Sequence, residues 1–182
     1  MGSARYVNNI NYDELPNIVV SDATVQFSSS VRYLSVTISC NLSWNLHVTN
    51  VVKRIYMTLY QLKLCKNLLP QKLKQNLIVA LVFPHIDYCC CVMTDITAEH
   101  NLRLHRALNA CIRFIFNLRR DEHITPYYDA LQWLKISDRR AYFMCCLLHQ
   151  ILSTNKPSTL YGKFLYRGTS VRSVRALAVD LI

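Results

Sequence analysis

A change of hydrophobic period at Ser43 constrains this fold more than any other feature of the chain. Before it, Val31-Arg32-Tyr33-Leu34-Ser35-Val36-Thr37-Ile38 alternates apolar and polar residues, as a half-buried strand does, so a strand is predicted over Arg32 to Ile38. After it, Val48, Val52, Ile55, Leu59 and Leu62 recur at helical spacing. They lay one apolar stripe along a helix from about Trp44 to Asn67. Asn41-Leu42-Ser43 punctuates the switch. Ser43 is the expected N-cap, a simpler reading than the glycosylation sequon these residues also spell.

The chain therefore reads as β first and α afterwards. Asn17 to Val20 forms a short strand, Ser21-Asp22-Ala23 turns the chain, and Thr24 to Phe27 returns it. Met1 to Leu15 is expected to be irregular. Leu69-Pro70 opens a second helix with Leu73, Leu77, Ala80 and Leu81 on its apolar side and Lys72 and Lys74 outside. Pro84 kinks or ends it. Ile86 to Met93 reads as a buried, helical apolar segment. Thr97 caps a third helix to about Leu118, with Leu104, Leu108, Cys111, Ile115 and Leu118 in register. Thr125-Pro126 opens a short helix through Leu134. Ser137 caps a last one to about Leu152, ended by Asn155-Lys156-Pro157. From Ser158 onward, short or irregular structure is expected. The fold class is mainly α, a helical bundle with a small N-terminal antiparallel β element.

Charge narrows the partners. The chain carries a formal +10, and between Asp22 and Asp87 it holds no acidic residue at all. That interval contains Arg32, Lys53, Arg54, Lys63, Lys66, Lys72 and Lys74. A second basic block follows Asp138: Arg139, Arg140, Lys156, Lys163, Arg167, Arg172 and Arg175, opposed only by Asp180. Single-sign segments suit a polyanion, because lysine and arginine displace condensed counterions from phosphate; a plainly solvated face is the alternative. On the first helix Lys53, Tyr56, Tyr60 and Lys63 fall off the apolar stripe. Aromatic rings beside lysines can stack on bases or sugars, or pack against another part of a larger protein. Arg106, Arg113 and Arg120 repeat every seven residues and are expected to form a basic stripe on the third helix.

The eight cysteines do not read as a framework. Met1 to Pro16 has no apolar core segment and contains Asp13 and Glu14, so no secretory signal is expected and the thiols are expected to stay reduced. Cys145-Cys146 with His149 lacks a second pair at ligand spacing, and no C-x2-C occurs. The longest apolar run, Leu77 to Phe83, stops at Pro84-His85-Ile86-Asp87, short of a membrane span. No partner membrane is expected.

The Val31 to Val48 stretch resembles the end of the palm and the start of the thumb in reverse transcriptases of non-LTR, jockey/LINE-type retrotransposons. Pro84-His85-Ile86-Asp87-Tyr88-Cys89 is similar to the family's segment after the second thumb helix. Leu104 to Phe116 is similar to its long basic helix. Asp121 to Pro126 and Leu131 to Arg140 follow in the family's order. The resemblance spans roughly Val31 to Pro157, and one departure is Ser35, where the family usually has glycine.

The resemblance implies residues 1–40 as a palm-end, primer-grip-like β segment containing Tyr33, Leu34 and Ser35. It implies residues 41–95 as thumb-like helices, 96–157 as a C-terminal helical region and 158–182 as a basic tail. It implies an incomplete polymerase, with the catalytic carboxylates and the palm and fingers upstream of Met1, and Mg²⁺ as a need of the parent enzyme rather than of this chain. The implied partner is an RNA/DNA or DNA duplex, gripped without sequence preference through Lys53, Tyr56, Tyr60, Lys63, Lys72, Lys74, Arg106 and Arg113. An intracellular setting is expected, and the family adds the nucleus.

Catalysis by this chain alone is not expected. Phosphoryl transfer needs paired carboxylates on a strand turn, and Asp121-Glu122 instead stands between Arg119-Arg120 and a helix start. No P-loop, G-x-S-x-G or H-E-x-x-H occurs. The competing classes are a basic helical interaction protein and a membrane-associated basic protein. Clustering of the basic residues across helices separates the first of these from duplex binding. Burial of Ile86 to Met93 tests the second.

Overall fold

The computed structural model describes residues 9–10, 15–16, 18–93 and 95–164. Expectations for residues 1–8 and 11–14, and for Arg167, Arg172 and Arg175, lie outside the described residues. The chain is mainly α with a small N-terminal antiparallel β element. It divides into two compact units, Met1–Asp138 and Arg139–Ile182.

The first unit begins with two separate hairpins. Strands β1 (Ile18–Val20) and β2 (Ala23–Val25) pair antiparallel, Val20 opposite Ala23. Ser21 and Asp22 make the two-residue turn with φ of 48° and 65°. Strands β3 (Ser30–Tyr33) and β4 (Val36–Ser39) pair likewise, Tyr33 opposite Val36, around Leu34 and Ser35 at φ 44° and 66°. The single strand predicted over Arg32 to Ile38 is therefore a hairpin. Two consecutive left-handed residues match the twist of the flanking strands, so the chain reverses within the apparent alternation.

Helix α1 (Asn45–Leu64) follows, then a 3₁₀ turn at Lys66–Leu68. The N-cap residue is Trp44 rather than Ser43; the Ser43 hydroxyl still accepts from the Asn45 N–H at 3.3 Å, one position further out than expected. The inward face of α1 is Val48, Val51, Ile55 and Leu59. Helix α2 (Gln71–Leu81) leads through Val82 into a short α3 (Phe83–Asp87). Pro84 opens α3 instead of closing α2, since its missing N–H costs nothing in a first turn. Cys89 at φ 53° then turns the chain into a 3₁₀ segment, Cys90–Val92.

By length and composition alone the stretch Gln71–Val92 is apolar enough to cross a membrane. In the fold it is three short segments, and the stretch Ile86 to Met93 is only partly buried: Ile86, Cys90 and Met93 face inward, whereas Tyr88 and Val92 are exposed.

Helix α4 (Ala98–Phe116) is capped by Thr97, whose Oγ1 accepts from the His100 N–H at 3.3 Å. It ends two residues before the predicted Leu118, because Asn117 adopts the left-handed cap conformation and the Leu118 N–H returns to the Arg113 carbonyl at 3.0 Å. Helices α5 (Thr125–Leu131) and α6 (Ile136–Thr154) complete the longer elements, and α7 (Ser158–Tyr161) is a single turn. Helix α5 stops before Leu134 because Gln132 is left-handed, and Thr125 and Ser137 lie inside their helices rather than capping them.

Helices α1 and α4 run in the same direction. At their starts Arg103 donates to Asn45 Oδ1 at 2.9 Å and Thr49 Oγ1 at 2.8 Å, and at their ends they share a cavity described below. Leu104, Leu108, Cys111 and Ile115 of α4 meet Val48, Ile55 and Leu59 of α1 in one core, closed by Ile78, Val82, Phe83, Tyr128 and Leu131. Burial pushes the Cys111 thiol up to about 12, and its Sγ donates to the Ala107 carbonyl, so it behaves as a small apolar group.

Helix α2 is rotated from the predicted face. Its inward residues are Lys74 and Ile78, whereas Leu73, Ala80 and Leu81 are exposed.

Candidate nucleic-acid interface

Lys53, Tyr56, Tyr60 and Lys63 lie along one exposed edge of α1, which the inward stripe at Val48, Val51, Ile55 and Leu59 turns outward. Tyr60 is 67 % exposed and Tyr56 46 %. Met57 and Leu64 stand beside them, also exposed. Lys72 is exposed at the start of α2.

Lys74 is elsewhere. It is only 4 % exposed, and its Nζ donates to Asn117 Oδ1 at 3.2 Å while lying 5.5 Å from the Phe114 ring centroid. Its alkyl stem covers core surface and its ammonium serves the C-terminal end of α4. It is thus not placed, with Lys53, Lys63 and Lys72, on a surface a duplex can reach.

Arg106 and Arg113 do not form one stripe with Arg120, because α4 ends at Phe116 and Arg120 lies in the loop beyond it. Arg106 is exposed on its own. The Arg113 guanidinium turns back, Nη2 donating to the Arg120 carbonyl at 2.9 Å and the Glu122 carbonyl at 3.2 Å. That fold of the loop creates a cavity of about 450 Å³ between the ends of α1 and α4. It is lined by Lys63, Lys66, Arg113, Asn117 and Arg120, with Ala110, Phe114 and Leu118 as its apolar wall. Basic residues from the ends of two helices and the segments that follow them, about fifty positions apart in sequence, are thus gathered on one site. Lys66, Asn117 and Arg120 were not among the predicted site residues. For Lys66 the only sequence signal was its spacing from Lys63 within the acid-free interval.

Tyr33, Leu34 and Ser35, expected from the resemblance to be primer-grip-like, sit at the other end of α1. Tyr33 and Leu34 are exposed, and the Tyr88 hydroxyl donates to the Leu34 carbonyl at 2.8 Å. Ser35 borders a cavity of about 340 Å³ with His47, Val51, Arg54, Pro84, His85 and Tyr88. A smaller pocket of about 90 Å³ adds Arg32, Thr37 and Asn50. The Thr37 N–H donates to His47 Nδ1 at 3.3 Å, and Asn50 Nδ2 to Thr37 Oγ1 at 3.3 Å. Burial, then Arg54, holds the His47 pKa below the usual histidine value, so the ring is the neutral acceptor this bond requires. Ser35 carries a left-handed backbone that glycine would adopt without strain; a side chain there costs about 1 kcal/mol.

Among the described residues no group of three or more His, Cys, Asp or Glu side chains converges. Glu122 Oε1 accepts from the Arg119 N–H at 2.6 Å, and Arg113 reaches the Glu122 carbonyl. Glu122 thus helps to close the loop after α4. Cys145 and Cys146 are exposed free thiols.

No family model matches the chain, and neither a curated protein nor a solved structure matches it.

Proposed function

We propose that this chain is a non-catalytic part of an RNA-directed DNA polymerase of the non-LTR retrotransposon type, which grips a nucleic-acid duplex through its backbone. The observation that carries the reading is the alignment of Lys53, Tyr56, Tyr60 and Lys63 along one exposed edge of a helix within an interval free of acidic residues. A thumb meets phosphates by shape and charge, so such an edge needs cations and flat rings rather than base-reading groups. The β3–β4 hairpin packs against the start of the same helix, which suits a primer-side contact next to the duplex grip.

The test is duplex binding by the whole chain against salt concentration. The variant Lys53→Ala/Lys63→Ala/Lys72→Ala should flatten the log–log salt slope by about 0.9 for each lysine that meets a phosphate. An unchanged slope and affinity would refute the reading.

A second reading is an interaction protein without a nucleic-acid role. It is favoured by one observation: the large apolar side chains Met57, Leu64, Leu68, Leu73 and Leu81 are all exposed on α1, the 3₁₀ turn and α2.

A further inference from the structure

We infer that the cavity between the ends of α1 and α4 is a site for a phosphate group bearing at least two negative charges, a phosphomonoester end or a free polyphosphate. This goes beyond backbone gripping, which needs only singly charged diesters along the exposed edge of α1.

The donors converge. Lys63 and Lys66 come from the end of α1 and the turn after it, and Arg113 and Arg120 from the end of α4 and its loop. Helix C-termini attract cations, and α1 and α4 both end here. Each terminus is equivalent to about half a negative charge, so two helices account for about one of the four positive charges. The excess, about three, has no carboxylate in the cavity lining to balance it.

Each polar group is also oriented. Arg113 spends both hydrogens of Nη2 on the Arg120 and Glu122 carbonyls, which holds the guanidinium still and leaves Nε and Nη1 to donate. Lys74 can only donate, so the Asn117 oxygen must face it and the Asn117 NH₂ is directed elsewhere, as a further donor at the cavity wall. Arg113's own carbonyl is occupied by the Leu118 N–H. Side chains whose remaining hydrogen-bonding capacity is to donate, around a concave space of about 450 Å³, suit an oxyanion larger than a halide.

The experiment is calorimetric titration of the full chain with pyrophosphate, with circular dichroism as a check on folding. The wild-type chain should bind one pyrophosphate per chain. Lys66→Ala and Arg120→Ala, both exposed, should each weaken binding about tenfold, as loss of a charge-assisted hydrogen bond does. Lys53→Ala/Lys72→Ala should change it less than about twofold. Several ions bound per chain, or equal losses in both sets of variants, would overturn the site and leave a general basic surface.

A 5′-phosphorylated oligonucleotide and its hydroxyl-ended twin then separate the sources. A gain from the phosphate that disappears in Lys66→Ala/Arg120→Ala assigns a nucleic-acid end; equal binding of the two assigns a free phosphate ligand. Pyrophosphate binding that survives while the duplex fails to bind defeats the proposed function and not this site. The reverse result defeats the site alone.

Discussion

The two hairpins follow the same local rules and meet different fates. Each turns on two consecutive left-handed residues, Ser21-Asp22 in one and Leu34-Ser35 in the other, and each pairs two short antiparallel strands. Yet every residue of β1 and β2 is exposed, including Ile18, Val19, Val20 and Val25. In β4, by contrast, Val36 and Ser39 are buried, and the turn before it is held by Tyr88. The difference is the floor. The β3–β4 hairpin rests on α1 through the Thr37–His47 and Thr37–Asn50 hydrogen bonds, whereas every residue of β1 and β2 is open to solvent. A two-stranded ribbon is marginal by itself, so what keeps a hairpin ordered is the surface beneath it and not its turn.

Core substitution should separate floor from ribbon most strongly. Ile55 is fully buried in the core of α1, so Ile55→Ala should lower stability by about 2–5 kcal/mol. Val19→Ala on the exposed ribbon should stay within about 0.5 kcal/mol. Urea unfolding followed by circular dichroism reads both, and comparable losses would mean that β1–β2 is packed after all.

A smaller effect should appear with pH. His47 has a folded pKa lowered by burial and by Arg54, so the unfolded chain takes up the proton more readily. The sign follows: stability is full above the unfolded value of about 6.5 and is lost as pH falls through the lower folded pKa. His105 is lowered by burial and by Lys135 and acts in the same direction. His47→Gln, which keeps an acceptor for the Thr37 N–H and cannot titrate, should flatten the fall in urea midpoint between about pH 7.5 and 5 without abolishing it. A pH profile identical to wild type would show that the His47 contact does not hold the hairpin.

The smallest effect concerns the turns themselves. Ser35→Gly should stabilise the whole unit by about 1 kcal/mol, because the relieved left-handed strain belongs to a docked hairpin. Asp22→Gly relieves the same strain in β1–β2 and should leave the melting temperature of the core unchanged, since that ribbon can open independently. Equal shifts from both substitutions would couple the two hairpins and undo the contrast.

How much of this was legible depends on how one-sided each element is. Helices α1 and α4 carry apolar residues on one stripe and charge on the rest, and Val48, Ile55, Leu59, Leu104, Leu108, Cys111 and Ile115 all face the core as their spacing demands. Helix α2 is polar in its first half except at Leu73, but in its second half Leu77, Ile78, Val79, Ala80 and Leu81 follow one another round the whole circumference. Its pattern permits several rotations, and the leucine face predicted to be buried is the one that points out. The hairpin at Leu34-Ser35 was hidden for a related reason. The alternation slips by one residue at the adjacent apolar pair Tyr33-Leu34, but the turn contains neither glycine nor asparagine to mark that slip as a reversal.

The sequence by itself determined that a β segment gives way to helices at Ser43, which faces of α1 and α4 turn inward, and that an acid-free basic stretch spans α1 and α2. Those properties are local, set by periodicity and by charge within a few turns. Only the tertiary structure decided that Lys74 is buried against Asn117 and Phe114, that one hairpin docks and the other does not, and that Lys63 and Lys66 share a cavity with Arg113 and Arg120. Each of these depends on α1 and α4 lying side by side in the same direction and on the rotation α2 adopts against them. Packing selects such arrangements among several that local spacing allows equally, because shape-matched burial of whole faces outweighs the preference of any single residue.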